Sequence, residues 1–333
     1  MRVLVTGVAG FIGAAVADAL LARGDAVIGL DNLNPYYEVA LKEARLARVA
    51  GNAPSGAFAF KRADFSDEAA LADALEGEDF DRIVHLGAQA GVRYSLDNPM
   101  AYARSNLVGH LALLETARHR QLPHMVYASS SSVYGANRKT PFATEDRTDR
   151  PMSLYAATKK ADELMSETYA HLYRLPLTGL RFFTVYGPWG RPDMALWRFA
   201  ERIFAGEPIP VYNGGEMSRD FTYIDDIVAG VLACLDKPPE DNEQEKPGGS
   251  IAPHTIYNIG NNNPEQLMTM ISALESAIGK KAQIDYLAMQ PGDVPTTYAD
   301  ISAIARNVGY APTTSIAEGI PAFVNWFREY RGL

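Results

Sequence analysis

The sequence predicts an α/β chain: a doubly wound parallel sheet followed by a smaller C-terminal substrate-binding lobe. Short apolar runs of strand type alternate with amphipathic helical stretches from residue 3 to about residue 182, which is the rhythm of βαβ units. A glycine-rich turn joins the first run to the helix after it. Beyond Phe182 the alternation loses regularity and Pro and Gly become frequent. Residues 1–182 therefore form the expected dinucleotide-binding domain, to which later segments can return, and 183–333 mainly the second lobe. With 333 residues, 47% of them apolar, the chain can bury a substantial core.

Residues 3–6, Val-Leu-Val-Thr, read as a buried parallel strand. Gly7-Val-Ala-Gly10-Phe11-Ile12-Gly13 then turns it into a helix that Gly24 stops. Glycines at these three places permit a tight turn, close approach of backbone to a pyrophosphate at a helix N-terminus, and tight packing of helix on strand. The next strand, 26–30, ends in Asp31-Asn32, where an acid accepts the ribose hydroxyls of NAD and repels the 2′-phosphate of NADP. This is a Rossmann-like signature with NAD as the expected cofactor. Its candidate contacts are Gly7, Gly10, Phe11, Ile12, Gly13, Asp31 and Asn32.

The alternation continues through a helix near 37–49, a strand at 57–61, a helix at 68–75 and a strand at 82–86. Asp64 and Phe65, beyond the third strand, are placed to meet the adenine. Leu86-Gly87-Ala88-Gln89 is small enough to let a cofactor cross the strand ends, and Arg93 follows as a candidate for a substrate anion. A long helix over about 100–120 carries Asn106. The strand at 124–128 then delivers Ser129-Ser130-Ser131-Ser132 at its tip.

The helix expected over 153–173 begins with Tyr155-Ala-Ala-Thr-Lys159. Four residues apart on a helix, the two side chains share a face with Cβ atoms about 5–6 Å apart. A free tyrosine ionises near pH 10, and a neighbouring cation favours the phenolate. Such a phenolate can take a proton from a sugar hydroxyl. Along this helix Leu154, Ala157, Ala161, Leu164, Met165 and Thr168 form a stripe, suited to a core or to a partner helix.

The glycine turn, the serine run, Tyr155-x-x-x-Lys159 and the following Arg181-Phe-Phe-Thr-Val-Tyr-Gly187 together resemble the extended short-chain dehydrogenase/reductase family of nucleotide-sugar epimerases and dehydratases. Asp31-Asn-Leu-Asn-Pro-Tyr-Tyr37, Gly91-Val-Arg93-Tyr-Ser95, Trp189-Gly-Arg191-Pro-Asp-Met194 and Ser218-Arg219-Asp-Phe-Thr-Tyr-Ile-Asp-Asp226 extend the likeness toward members that act on UDP-linked uronic acids. The resemblance implies NAD-dependent 4-epimerisation of UDP-glucuronate to UDP-galacturonate through a transient 4-keto sugar. It makes Tyr155 the base, Lys159 the residue on the nicotinamide ribose, Ser130 the hydroxyl on the sugar O4, and Asn106 their support. It also implies a homodimer joined through the helices at 100–120 and 153–173. Related 4,6-dehydratases need an acid and a base directly after the catalytic hydroxyl residue, where this chain has Ser131 and Ser132. Dehydration is disfavoured, while two hydroxyls suit a C6 carboxylate. UDP-glucose epimerisation, oxidative decarboxylation of UDP-glucuronate and a non-catalytic NAD-binding redox sensor remain alternative readings.

In the second lobe Arg191 is expected to fork onto the uronate carboxylate. Thr184 joins the sugar contacts, and the strand at 208–212 brings Val211 and Tyr212 to the uracil. Arg219 is expected on the diphosphate, with Gln290 where many relatives carry a second cation, and Asp293 beside it. The polar, Pro-rich 237–253 reads as a mobile surface insertion. A formal charge of −9 argues against nucleic-acid binding. No apolar run of membrane-spanning length occurs, and a cytoplasmic protein is expected. The histidines lack metal-ligand spacing, so no metal is expected. The single Cys234 lies in an apolar helical run and reads as a buried structural thiol.

Overall fold

The computed structural model describes residues 1–289 and 294–333. Its first half alternates as expected: β1 (Arg2–Thr6), α1 (Phe11–Ala22), β2 (Ala26–Asp31), α2 (Val39–Asn52), β3 (Phe58–Arg62), α3 (Glu68–Ala74) and β4 (Arg82–His85). A short helix, α4 (Tyr94–Asp97), precedes the long helix expected over about 100–120, which runs on without a break as α5 (Pro99–Tyr102), a π-helical turn (Ala103–Val108) and α6 (Gly109–His119). Asn98-Pro99 separates α4 from it, since Pro cannot continue the preceding turn. The π turn contains the buried Asn106. β5 (Met125–Ser130) runs further than predicted, so Ser129 and Ser130 are still strand and Ser131–Tyr134 form a 3₁₀ turn.

α7 (Leu154–Tyr173) starts at Ser153, whose hydroxyl accepts from the Ala156 N–H at 3.1 Å, a side-chain cap. Its inner face is polar: Thr158, Lys159, Asp162, Glu163 and Ser166 are buried. Of the two settings that the apolar stripe suited, core or partner helix, it takes the outward one, with Leu154 40% and Leu164 57% exposed. β6 (Leu177–Phe182) follows, then β7 (Thr184–Tyr186), α8 (Ala195–Ala205), β8 (Ile209–Tyr212), β9 (Ser218–Tyr223) and α9 (Ile224–Asp236). β10 (His254–Ile259), β11 (Pro264–Gln266), α10 (Leu267–Ile278), β12 (Ile284–Leu287), α11 (Ser302–Val308) and α12 (Ile316–Arg331) complete the chain.

The main sheet is parallel and seven-stranded, in the order β10-β6-β5-β4-β1-β2-β3. The expected boundary at 182/183 is therefore crossed: α9 packs on α1, and β10 pairs with β6 as an edge strand. The 237–253 insertion is tied down as well. The Ile256 N–H donates to Pro247 O at 2.8 Å, and Ala252 is fully buried.

The smaller lobe has its own core, in which Trp197 of α8, Leu274 of α10 and Phe323 and Phe327 of α12 are buried together. Around it lie a β11-β9-β7 sheet and a β12-β8 pair. Arg45 of α2 fastens the two lobes. Fully buried, it donates to Ala9 O beside the glycine turn at 3.1 Å and to Trp189 O and Gly190 O of the other lobe at 2.7 and 2.8 Å. Cys234 is buried in the core, and burial pushes its thiol well above its usual range. Among the described residues no helix is long and apolar enough to cross a membrane, and no cluster of side chains could hold a metal ion.

Candidate active site

A cavity of about 1030 Å³ lies at the carboxyl ends of the sheet strands, between the two lobes, where open parallel sheets bind ligands. Its floor is the glycine turn. Gly7 has φ +69°, and a Cβ there would stand 2.6 Å from Gly87 N; one on Gly13 would stand 2.1 Å from Gly7 O. Both contacts are with backbone, which has no rotamer to yield. Gly10 caps α1 without a side chain, so the first N–H groups of that helix stay open toward the cavity, a setting for a pyrophosphate. Phe11 and Ile12 line the same wall. Gly13→Ala is expected to abolish NAD binding at concentrations that saturate the wild type, read by quenching of intrinsic fluorescence, with the far-ultraviolet circular dichroism unchanged.

At the end of β2 the Asp31 carboxylate accepts from the Ala9 N–H at 3.1 Å and the Leu33 N–H at 2.9 Å. Burial pushes its pKa up, opposed by these hydrogen bonds and by Lys42. Each oxygen retains a lone pair for a ribose hydroxyl. Asn32 lines the cavity and donates to Asp64 at 3.0 Å. Asp64 lies behind the wall. Burial raises its pKa, but hydrogen bonds from Ser66 and Asn32 win and hold it below the usual carboxylate range. Phe65 lines the cavity and packs so close to Gly87 that a Cβ there would meet its ring at 2.5 Å.

Leu86, Gly87, Ala88 and Gln89 cross the strand ends as expected. Asn106 is not a wall residue. It accepts from the Gln89 N–H at 2.8 Å and donates to Gln89 O at 3.1 Å and Thr158 Oγ1 at 2.9 Å. The residue thus straps the cofactor loop to α7, a backbone-binding job for which the π turn supplies the direction.

Ser130, Ser131, Ser132, Tyr155 and Lys159 meet on the opposite side. Ser130 Oγ accepts from the Ser132 N–H at 3.1 Å, which fixes its orientation. Ser129 borders the cavity beside them, but its hydroxyl is spent on Glu163, to which it donates at 2.7 Å. The Tyr155 ring lies edge-on to Tyr102 at 6.1 Å between centroids. The Lys159 ammonium donates to Ala128 O at 2.9 Å and to Asp162 Oδ2 at 3.0 Å. Asp162 and Glu163 were not singled out from sequence, although acids three and four residues after a buried lysine share its helix face.

From the second lobe, Thr184, Arg191, Tyr212 and Arg219 line the cavity. Arg191 is already paired, its Nε donating to Asp193 Oδ1 at 3.0 Å, while Tyr36 donates to the same carboxylate at 3.2 Å. Arg93 reaches across from the first domain and lies over the Tyr212 ring at 5.0 Å. Arg219 Nη1 donates to Ser218 O and Pro295 O, each at 2.9 Å. Val211 is not at the wall. Alternation along β8 turns its side chain fully into the lobe's core, between Pro210 and Tyr212, which do face the cavity. Gln290 and Asp293 lie outside the described residues. Lys42, Tyr36 and Asp193 are further wall residues that composition and spacing gave no reason to choose.

A doubly wound sheet with an acid-tipped second strand, a serine-tipped fifth strand and a Tyr-x-x-x-Lys helix at one cavity defines the extended short-chain dehydrogenase/reductase class of enzymes. Within it, the chain belongs to the family described as GDP-mannose 4,6 dehydratase, which matches residues 4–323. It is 48% identical to a probable UDP-glucuronate 4-epimerase of Rhizobium meliloti, over 99% of this chain and 98% of that one. It is 47% identical to UDP-glucuronate 4-epimerase 1 of Arabidopsis thaliana, over 100% of this chain and 78% of that one. The crystal structure of UDP-glucuronic acid 4-epimerase from Bacillus cereus, in complex with UDP-glucuronic acid and NAD, superposes with a TM-score of 0.87 at 33% identity, over 99% of this chain and 100% of that one.

Proposed function

We propose that this protein is an NAD-dependent UDP-glucuronate 4-epimerase, forming UDP-galacturonate through a 4-keto sugar. The observation that carries the reading is the wall on which Tyr155, Ser130, Ser131 and Ser132 converge with the glycine turn across the same cavity. The residues fit NAD: the uncapped helix end takes the pyrophosphate, Asp31 the adenosine ribose and Lys159 the nicotinamide ribose. When bound, NAD accepts a hydride from C4 and returns it, so the reaction needs no net oxidant.

The chain's own groups do the rest. Ser130 hydrogen-bonds the sugar O4, and Tyr155 removes its proton as the C4–H bond breaks. Arg219 and Arg93 counter the diphosphate and Tyr212 covers the base, so the nucleotide stays fixed while the ketone turns about the diphosphate and presents its other face. Tyr155 then gives the proton back.

A 4-keto uronic acid is a β-keto acid, which loses CO2 when its carboxylate bond aligns with the carbonyl π system. Ser131 and Ser132 hold that carboxylate out of alignment, and Arg191 joins them by exchanging Asp193 for the substrate. Replacing both serines by alanine is expected to raise the share of UDP-pentose among the products at least several-fold, read by NMR. The same hydroxyls stand where dehydration needs an acid and a base, which disfavours that outcome.

The exposed apolar side chains of the helices over 100–120 and 153–173, among them Leu111, Leu154, Leu164 and Leu172, suit a homodimer seam. The deciding experiment is NMR of the products from UDP-glucuronate and from UDP-glucose. Galacturonate from the first and little turnover of the second support the reading. A pentose, or galactose alone, overturns it.

A further inference from the structure

Resting on that reading of the site, we propose that Asp162 is a positioning residue: it holds Lys159 as a neutral buried pair and thereby sets how strongly the lysine favours the Tyr155 phenolate. Both side chains are inside the protein, Lys159 2% and Asp162 0% exposed. The ammonium lies 3.0 Å from Asp162 Oδ2. A cation with an acid at contact distance acts outward as a dipole, whose field fades faster than that of a bare charge. Lys159 therefore acts on the tyrosine one turn away far less than a lone lysine would.

The pair is also incomplete. Asp162 Oδ1 is buried without a hydrogen-bond partner, as is Nδ1 of His110 on the facing helix. A half-satisfied buried carboxylate is costly to keep ionised. In keeping with that geometry, burial pushes the Asp162 carboxyl up to about 6, against the pull of Lys159.

The groups around the pair leave it in control. On α7 itself Glu163 is bound to Arg181 of β6 and to Lys160. His110 from α6 is neutral, burial holding it down at about 3, with its Nε2 on Ser166 at 2.9 Å. His85 from β4 is likewise pushed far below its usual range by burial, Tyr127 from β5 far above its own, and His254 of β10 hydrogen-bonds Tyr127 at 2.8 Å. As pH falls through about 6, Asp162 takes a proton and Lys159 becomes an uncompensated cation beside the tyrosine.

Asp162→Asn removes the negative charge and keeps the shape, and Asp162→Ser serves as a second, smaller replacement. The first measurement needs neither cofactor nor substrate: melting temperature against pH for wild type and variants. A carboxyl raised on folding contributes stability that is full below its unfolded value and lost as pH rises through its folded one. Both variants should therefore gain on the wild type as pH rises from about 4 to about 6, and keep a constant advantage above that. The second is the pH dependence of turnover, whose acid limb should move about one unit lower in Asp162→Asn, a relative gain of about five-fold one unit below the wild-type midpoint that approaches about ten-fold further down. A melting difference that does not change with pH, or superimposable pH profiles, overturns the proposal. Wild-type enzyme inactive on UDP-glucuronate would sink the proposed function, and the melting curves would still decide the role of Asp162.

Discussion

Tyr155→Phe is expected to reduce turnover of UDP-glucuronate by about 10²–10⁴-fold, the range for loss of a positioned acid–base group. The substitution deletes one oxygen and leaves the ring, whose edge-on contact with Tyr102 does not involve the hydroxyl. The helix start is also unaffected, because the Ser153 cap acts on the Ala156 N–H. NAD binding should persist, since the glycine turn and Asp31 lie across the cavity. Steady-state rates by coupled assay or product NMR, alongside an NAD titration followed by fluorescence, separate the two effects. Retention of more than a tenth of wild-type turnover would refute the role of Tyr155 as base. Loss of NAD binding together with turnover would instead mean that the hydroxyl holds the cofactor.

Glu163→Gln is expected to cost about 3–5 kcal/mol of stability, the usual consequence of removing one partner of a buried ion pair. Arg181 meets Glu163 with two parallel bonds, Nε to Oε1 at 2.8 Å and Nη2 to Oε2 at 2.9 Å, and the side chains are 2% and 1% exposed. A glutamine can accept only one of those bonds, leaving a buried guanidinium half-satisfied. Ser129, which donates to the same carboxylate, would lose its anchor next to Ser130, so turnover should fall with stability. Burial raises the Glu163 pKa, but the hydrogen bonds and charge of Arg181 outweigh it and hold it below the usual 4.5. Its stabilisation is therefore present above that value and fades as pH falls through the lower folded one. Urea unfolding midpoints for wild type and variant should converge as pH is lowered below about 4. An unchanged midpoint at pH 7 would show that the pair contributes nothing net.

Much of the first domain was readable because its signals are local. The glycine turn, Asp31 and the apolar strands each follow from a few neighbouring residues, and the structure brings them together as those residues suggest. The residues of the serine run and of the Tyr155 helix likewise share one wall. What escaped depends on contacts distant in sequence. Nothing local says that Ser129 turns to Glu163, that Tyr36 reaches Asp193, or that Asn106 grips backbone rather than facing the cavity. Val211 shows how a one-residue step along a strand moves a side chain from wall to core. Which way the apolar stripe of α7 faces stayed open for a related reason: a helix whose core face is built of paired charges inverts the pattern that periodicity is read from.

The pairing of β10 with β6 bears on how the protein is made. Once Phe182 has left the ribosome's exit tunnel six of the seven strands are free, and β6 then presents an open hydrogen-bonding edge with no neighbour. That edge stays bare until His254–Ile259, about seventy residues further along the chain, has been synthesised and has left the exit tunnel. An unpartnered strand edge is a template for other chains, so the interval is the time at which the nascent protein most needs a chaperone, and a fragment ended near 182 should precipitate where the complete chain does not.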